Sequence, residues 1–187
     1  MGWLDALRGR RPPPPPRLDA LFAIPAAAVT MEVAGWRPTG TGGVCYRAAD
    51  GGAFADLQSE IRQLLDADDG PPVEFTRDEY GFTWLTVRGA PSVGDLVTDL
   101  HAVNTSLEAQ GFSAGLLCST VGFERADGRR LGLVYLYKQG TFYPFAPTGG
   151  TGRDNLVELQ VRDLVIQEIP VEGDLQRWLG LYGCPAL

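Results

Sequence analysis

The chain has 187 residues, 44% of them hydrophobic and 21% charged, with three cysteines, one histidine and a formal net charge of −7. That length and balance suit one domain with a sizeable core and exclude wholesale disorder. Residues 1–17 carry +3, from four arginines against one aspartate, which leaves −10 on the remainder. An acidic body repels a phosphate backbone, so nucleic acid is not expected as its partner.

The chain therefore divides into a basic tail with a spacer, residues 1–17, and a single α+β domain, residues 18–187. In the tail, Trp3, Leu4 and Leu7 stand at helical spacing and are followed by Arg8, Arg10 and Arg11. Such a short amphipathic helix could meet an anionic membrane surface or a groove on a partner, or pack on its own domain. Pro12 to Pro16 cannot continue a helix and form a polyproline II spacer of about 3 Å per residue. No apolar run approaches the roughly 20 residues that cross a bilayer, and no secretion signal opens the chain. Three cysteines, Cys45, Cys118 and Cys184, in no Cys-x-x-Cys arrangement, argue against a disulfide framework or structural zinc and for a reducing cytoplasm.

The body opens with a short helix carrying Leu18, Leu21 and Phe22, ended by Pro25. The glycine-rich stretch 39–43 reads as a turn before a strand at 44–47. It does not read as a dinucleotide loop, which would lie between a strand and a helix. Phe54, Leu57, Ile61, Leu64 and Leu65 mark a helical stripe. Residues 73–77 and 82–87 alternate around Asp78-Glu-Tyr-Gly81 and predict a hairpin. The longest helix, 92–110, has Ser92 as N-cap, Val93, Leu96, Val97, Leu100, Val103, Asn104 and Leu107 along one face, and Gly111 as terminator. A second hairpin joins 116–123 to 131–137 through an Asp-Gly turn, and 141–147 extends the sheet. Residues 155–161 are a last strand or the start of a helix, and 174–181 a final short helix around Trp178. Hairpins interrupted by helices predict an antiparallel α+β fold with helices packed on a sheet. Two-layer sandwiches of this element order include secretion-chaperone-like proteins, an analogy of order alone.

Chemistry is sparsely supplied. The single histidine, His101, could pair with Cys118 in a small hydrolase or thiol enzyme, but it also reads as a helix brace, and Cys118 and Cys45 read as core residues. One histidine cannot build a His-x-x-x-His zinc site. Asp66, Asp68 and Asp69 lack the later glutamate of a calcium loop and read as a solvated turn. No metal, cofactor or catalytic residue is expected. What stands out is residues 136–147, where aromatic side chains surround Lys138, the only lysine, and two prolines break sheet pairing. Tyr135, Tyr137, Lys138, Phe142, Tyr143 and Phe145 are therefore candidate protein-binding residues on an irregular edge, or core aromatics packed inward. Tyr80, Phe82 and Trp84 carry the same ambiguity.

The blocks MGWLDAL (1–7), LDALF (18–22), DEYG (78–81), LHAVNT (100–105) and VYLYKQGTFYPFAP (134–147) resemble the actinobacterial family called PspA-associated protein B, over essentially the whole chain. The resemblance implies an accessory role in the phage-shock response to envelope stress, whose central protein is a coiled coil on the inner face of the membrane. The implied partners are that PspA-like coiled coil or a membrane metallopeptidase, and the implied location is the cytoplasm, at or near that face. In this setting Trp3, Leu4, Leu7, Arg8, Arg10 and Arg11 would give a weak, reversible contact, since each basic residue near an anionic surface contributes about 1 kcal/mol. No catalytic residues come with the family. A substrate-holding chaperone is a further alternative, motivated by the fold analogy alone.

Overall fold

The computed structural model describes residues 17–47, 52–65 and 73–187. The tail residues Trp3, Leu4, Leu7, Arg8, Arg10 and Arg11, the proline run and the acidic cluster at Asp66, Asp68 and Asp69 lie outside the described residues. Within them, six strands form one antiparallel sheet. These are β1 (Trp36–Tyr46), β2 (Glu74–Arg77), β3 (Thr83–Val87), β4 (Leu116–Arg125), β5 (Arg130–Leu136) and β6 (Thr141–Phe145), in the order β2-β3-β1-β4-β5-β6. The two short strands β7 (Pro147–Gly149) and β8 (Gly152–Arg153) pair separately. Four helices complete the fold: α1 (Ile24–Val33), α2 (Gly52–Leu65), α3 (Val93–Ala109) and α4 (Asn155–Val165). The expected α+β class is what forms.

The two hairpins and the long helix appear where alternation and caps placed them. Ser92 accepts a hydrogen bond from Asp95 N at 3.1 Å, a cap contributing about 1 kcal/mol. Gly111, at φ +82°, ends α3 in the left-handed region that a Cβ disfavours. Residues 155–161 resolve as helix: Asp154 accepts from Val157 N at 3.1 Å, and an N-cap commits the segment to α4.

Two expectations near the start of the domain are corrected. Pro25 does not end the first helix but sits in the first turn of α1, where proline has no bond to lose, and the 3-10 segment Leu18–Ala23 runs straight into it. Residues 39–43 are not a turn before a strand but the middle of β1, an 11-residue strand with a register shift between Pro38 and Gly42. The glycine content there answers a packing need. A Cβ on Gly42 would stand 2.9 Å from Thr120 O and about 3 Å from methyls of Leu100 and Leu96, so a bare backbone lets α3 lie directly on the sheet centre.

The sheet is buried on both faces. One face carries Val44, Tyr46, Leu85, Val121, Phe123, Leu133, Tyr135 and Phe142 into a core shared with α1, α2, α3 and α4. Within it Asn104 is satisfied by Leu100 O at 2.7 Å and Ser119 Oγ at 2.8 Å, the condition under which a buried amide is tolerated. The opposite face carries Cys45, Trp84, Cys118, Val134, Leu136, Tyr143 and Phe145. Burial on both sides explains why β5 reads as an almost unbroken apolar run.

The second face is covered by the segment 171–187, which corrects the expected helix at 174–181: only Leu175–Arg177 makes a 3-10 turn. This strap begins as a parallel bridge on β6, with Phe142 N donating to Pro170 O at 2.8 Å and Glu172 N donating to Phe142 O at 2.7 Å, so the β6 edge is capped. It ends in a trough of bare backbone. A Cβ on Gly122 would lie 2.7 Å from Ala186 O, and one on Gly132 would lie 3.1 Å from both δ-methyls of Leu187. The two-layer expectation therefore becomes three layers, with an irregular third.

Candidate functional site

Where the strap stands off the sheet it leaves a cleft of about 330 Å³. Its floor comes from alternate residues of the strands: Cys45 from β1, Trp84 from β3, Cys118 from β4, Leu136 from β5 and Tyr143 from β6. Its far wall is Leu179, Leu181 and Tyr182 of the strap. Arg47, Tyr80, Phe82, Lys138 and Gln139 stand at the rim.

Local sequence explains the concavity. Between Leu116 and Cys118 the register of β4 against β1 shifts by one residue. Leu116 therefore turns into the helix-side core while Cys118 faces the cleft. Cys45 and Cys118 are register partners across β1 and β4. The neighbouring Cys45 side chain, then burial, raises the Cys118 thiol well above the ordinary range, and burial raises that of Cys184 to about 12. A thiol held neutral is a small apolar surface, not a nucleophile.

Asp78 organises the wall opposite the strap. Its Oδ1 accepts from Tyr80 N at 3.0 Å and Phe82 N at 2.9 Å, and its Oδ2 accepts from Trp84 Nε1 at 3.0 Å. The DEYG turn is thus a hydrogen-bonded Asx turn that fixes the indole at the floor. The strap is fixed from the other side. Tyr143 OH donates to Leu179 O at 2.9 Å, its ring stacks on Trp178 at 5.9 Å, and Trp178 Nε1 donates to Glu172 O at 3.0 Å. Arg153 Nη1 donates to Trp178 O at 2.7 Å and its Nη2 pairs with buried Glu158 at 2.9 Å.

The candidate residues separate clearly. Tyr135, Tyr137, Phe142, Tyr143 and Phe145 are buried, between 0 and 3% exposed, and follow the inward-packing alternative. They are not an aromatic surface, because both faces of β5 and β6 are covered. Lys138 alone of that set is exposed. Tyr80 is exposed, Phe82 half-buried and Trp84 buried.

The pairing of His101 with Cys118 is excluded by topology. His101 belongs to α3 on the helix side, with Nε2 3.5 Å from Asp19 Oδ1 and its ring 4.8 Å from that of Phe22, in a separate depression near Arg17. Cys118 lies on the other side of the sheet. Among the described residues no group of three or more His, Cys, Asp or Glu could hold a metal ion, and no helix is long and apolar enough to cross a membrane.

Arg47, Leu117, Leu181 and Tyr182 were not distinguishable as cleft residues in the sequence. The only local sign was the arginine closing an apolar strand, because the opposing wall arrives more than 100 residues later on an irregular segment.

No curated protein and no solved structure matches the chain. The blocks that carry the family resemblance do have structural places here: LHAVNT holds the buried Asn104, DEYG makes the Asx turn under Trp84, and 134–147 forms the two strands that the helices and strap enclose. Those three blocks lie in the helix layer, at a hairpin turn and in the sheet. The family model described as PspA associated protein B matches residues 1–186, and the chain belongs to that family.

Proposed function

We propose that this protein is a non-catalytic accessory factor of a PspA-type envelope stress response and acts by binding another protein, a PspA-like coiled coil. The carrying observation is the family match across residues 1–186, whose name records association with PspA. The reading is of a protein in the cytoplasm at the inner face of the membrane, with the tail residues Trp3, Leu4, Leu7, Arg8, Arg10 and Arg11 adding a weak contact to lipid or partner. A membrane metallopeptidase is the second partner of the same reading.

The burial of the β5–β6 aromatics moves the proposed contact to the helix layer. Val29 and Val33, one turn apart on α1, are 65% and 89% exposed, and Phe22 of the preceding 3-10 segment is 50% exposed. On α4, Leu156 is also exposed, and α4 packs against α1, with Thr30 Oγ1 donating to Glu168 Oε1 in the turn after α4 at 2.9 Å. Exposed apolar residues at helical spacing suit an amphipathic helix of a partner. A pull-down of the full chain with a PspA-like coiled coil tests this. The double substitution Val29→Glu, Val33→Glu should abolish capture while leaving thermal stability unchanged, and deletion of residues 1–16 should weaken it. Capture that survives both changes would remove the proposal.

A further inference from the structure

We propose that the cleft between the sheet and the strap binds a single-chain amphipathic carboxylate, with its tail over Trp84, Cys118 and Leu181 and its headgroup between Arg47 and Lys138. The inference does not depend on the partner reading, because the cleft lies on the sheet face opposite α1, which carries Val29 and Val33.

The shape sets the size of the ligand. About 330 Å³ falls at the small end of ligand pockets, which run from roughly 300 to 1,000 Å³. It has room for one medium-length chain or one fused ring system and not for a two-chain lipid. The floor offers indole, leucine and the buried cysteine side chains, so the buried part of the ligand is apolar.

The rim sets its sign. Arg47 and Lys138 both line the mouth and are exposed. Among the described residues neither is in a salt bridge, although the Arg47 guanidinium lies 5.8 Å over the Phe82 ring. The one acid lining the cleft is Asp78, and both of its oxygens are engaged by Tyr80 N, Phe82 N and Trp84 Nε1. The mouth thus carries two cations against one carboxylate whose oxygens are turned to their own donors, on a body that is acidic overall. A guanidinium and a flexible ammonium lining one mouth above an apolar floor are complementary to a carboxylate with an apolar tail. A cationic amphiphile would meet like charge.

Decanoate is the probe, titrated into the full chain and followed by calorimetry and by tryptophan fluorescence, with decyltrimethylammonium as the cation of matched chain length. Decanoate should bind saturably at one site, and the cation at least about tenfold more weakly. The double variant Arg47→Gln, Lys138→Gln changes two exposed side chains and should keep the fold while weakening decanoate about tenfold. Leu181→Trp, which fills the cleft from the strap side, should abolish binding. Failure of decanoate to saturate, equal binding of the cation, or undiminished binding by the double variant would each overturn the proposal. Loss of partner capture by Val29→Glu, Val33→Glu with decanoate binding intact would separate the two sites.

Discussion

The two faces of the sheet are both buried but are covered by different means. On one face, helices bring their own hydrogen bonds and lay continuous apolar stripes on Val44, Leu85, Phe123 and Leu133. On the other, the strap is irregular, and its backbone is held by side chains: Tyr143 to Leu179 O, Arg153 to Trp178 O and Arg88 to Pro185 O. A cover made of regular structure is stabilised as one body with the sheet. A cover made of discrete anchors can lose one anchor and loosen locally.

The comparison breaks most visibly on the helix side. Phe123→Ala removes a fully buried ring from the shared core and should cost about 3–5 kcal/mol. Chemical denaturation should show one transition at a lower midpoint with the slope preserved. A second transition would mean that the helix layer and the sheet are separable.

Glu158 tests the join between the two covers. It is 2% exposed on α4, pairs with Arg153 at 2.9 Å and accepts from Ala146 N at 2.9 Å. Glu158→Ala should cost about 3 kcal/mol, since it strands a largely buried guanidinium and an amide together. Arg153→Met in the same chain should recover part of that loss in a double-mutant cycle. Losses in the two single variants that simply add up to the loss in the double variant would show that the pair itself contributes nothing.

Trp178→Ala should give a smaller global effect than its buried area suggests. The anchors it removes, to Tyr143 and Glu172 O, hold the strap and not the helix core. The expected signature is faster amide exchange through residues 172–187 with exchange in α3 unchanged. Uniform acceleration in both would make the strap part of the global unit.

The same contrast separates what the sequence made legible from what it did not. The α3 cap, its apolar stripe and the Asp-Gly hairpin follow from rules that act within about 20 residues, and they appear as read. The aromatics of 135–145 could be weighed only as surface or core, because alternation cannot show whether a strand is covered on its second side. That cover is the strap, whose contacts with the sheet span 36 residues for Tyr143 and Leu179 and 97 for Arg88 and Pro185. Gly42 misled for a related reason: its role is set by Leu96 and Leu100, more than 50 residues onward. The cleft was invisible because its wall has no periodicity of its own.

The smallest effect at neutral pH is the most diagnostic in alkali. Burial raises the phenols of Tyr46 and Tyr135 on the helix side from 10.0 to about 12, and raises that of Tyr143 on the strap side further. Each folded pKa lies above its unfolded value, so the folded state holds the proton more tightly. The associated stability is complete below about pH 10 and is lost as pH rises through the folded values. Tyrosinate absorbance should therefore show these three phenols ionising only with unfolding. In Trp178→Ala, Tyr143 should ionise at lower pH, ahead of Tyr46 and Tyr135, because opening the strap hydrates it without disturbing the helix core. If all three still titrate together in that variant, the strap opens only when the whole domain does.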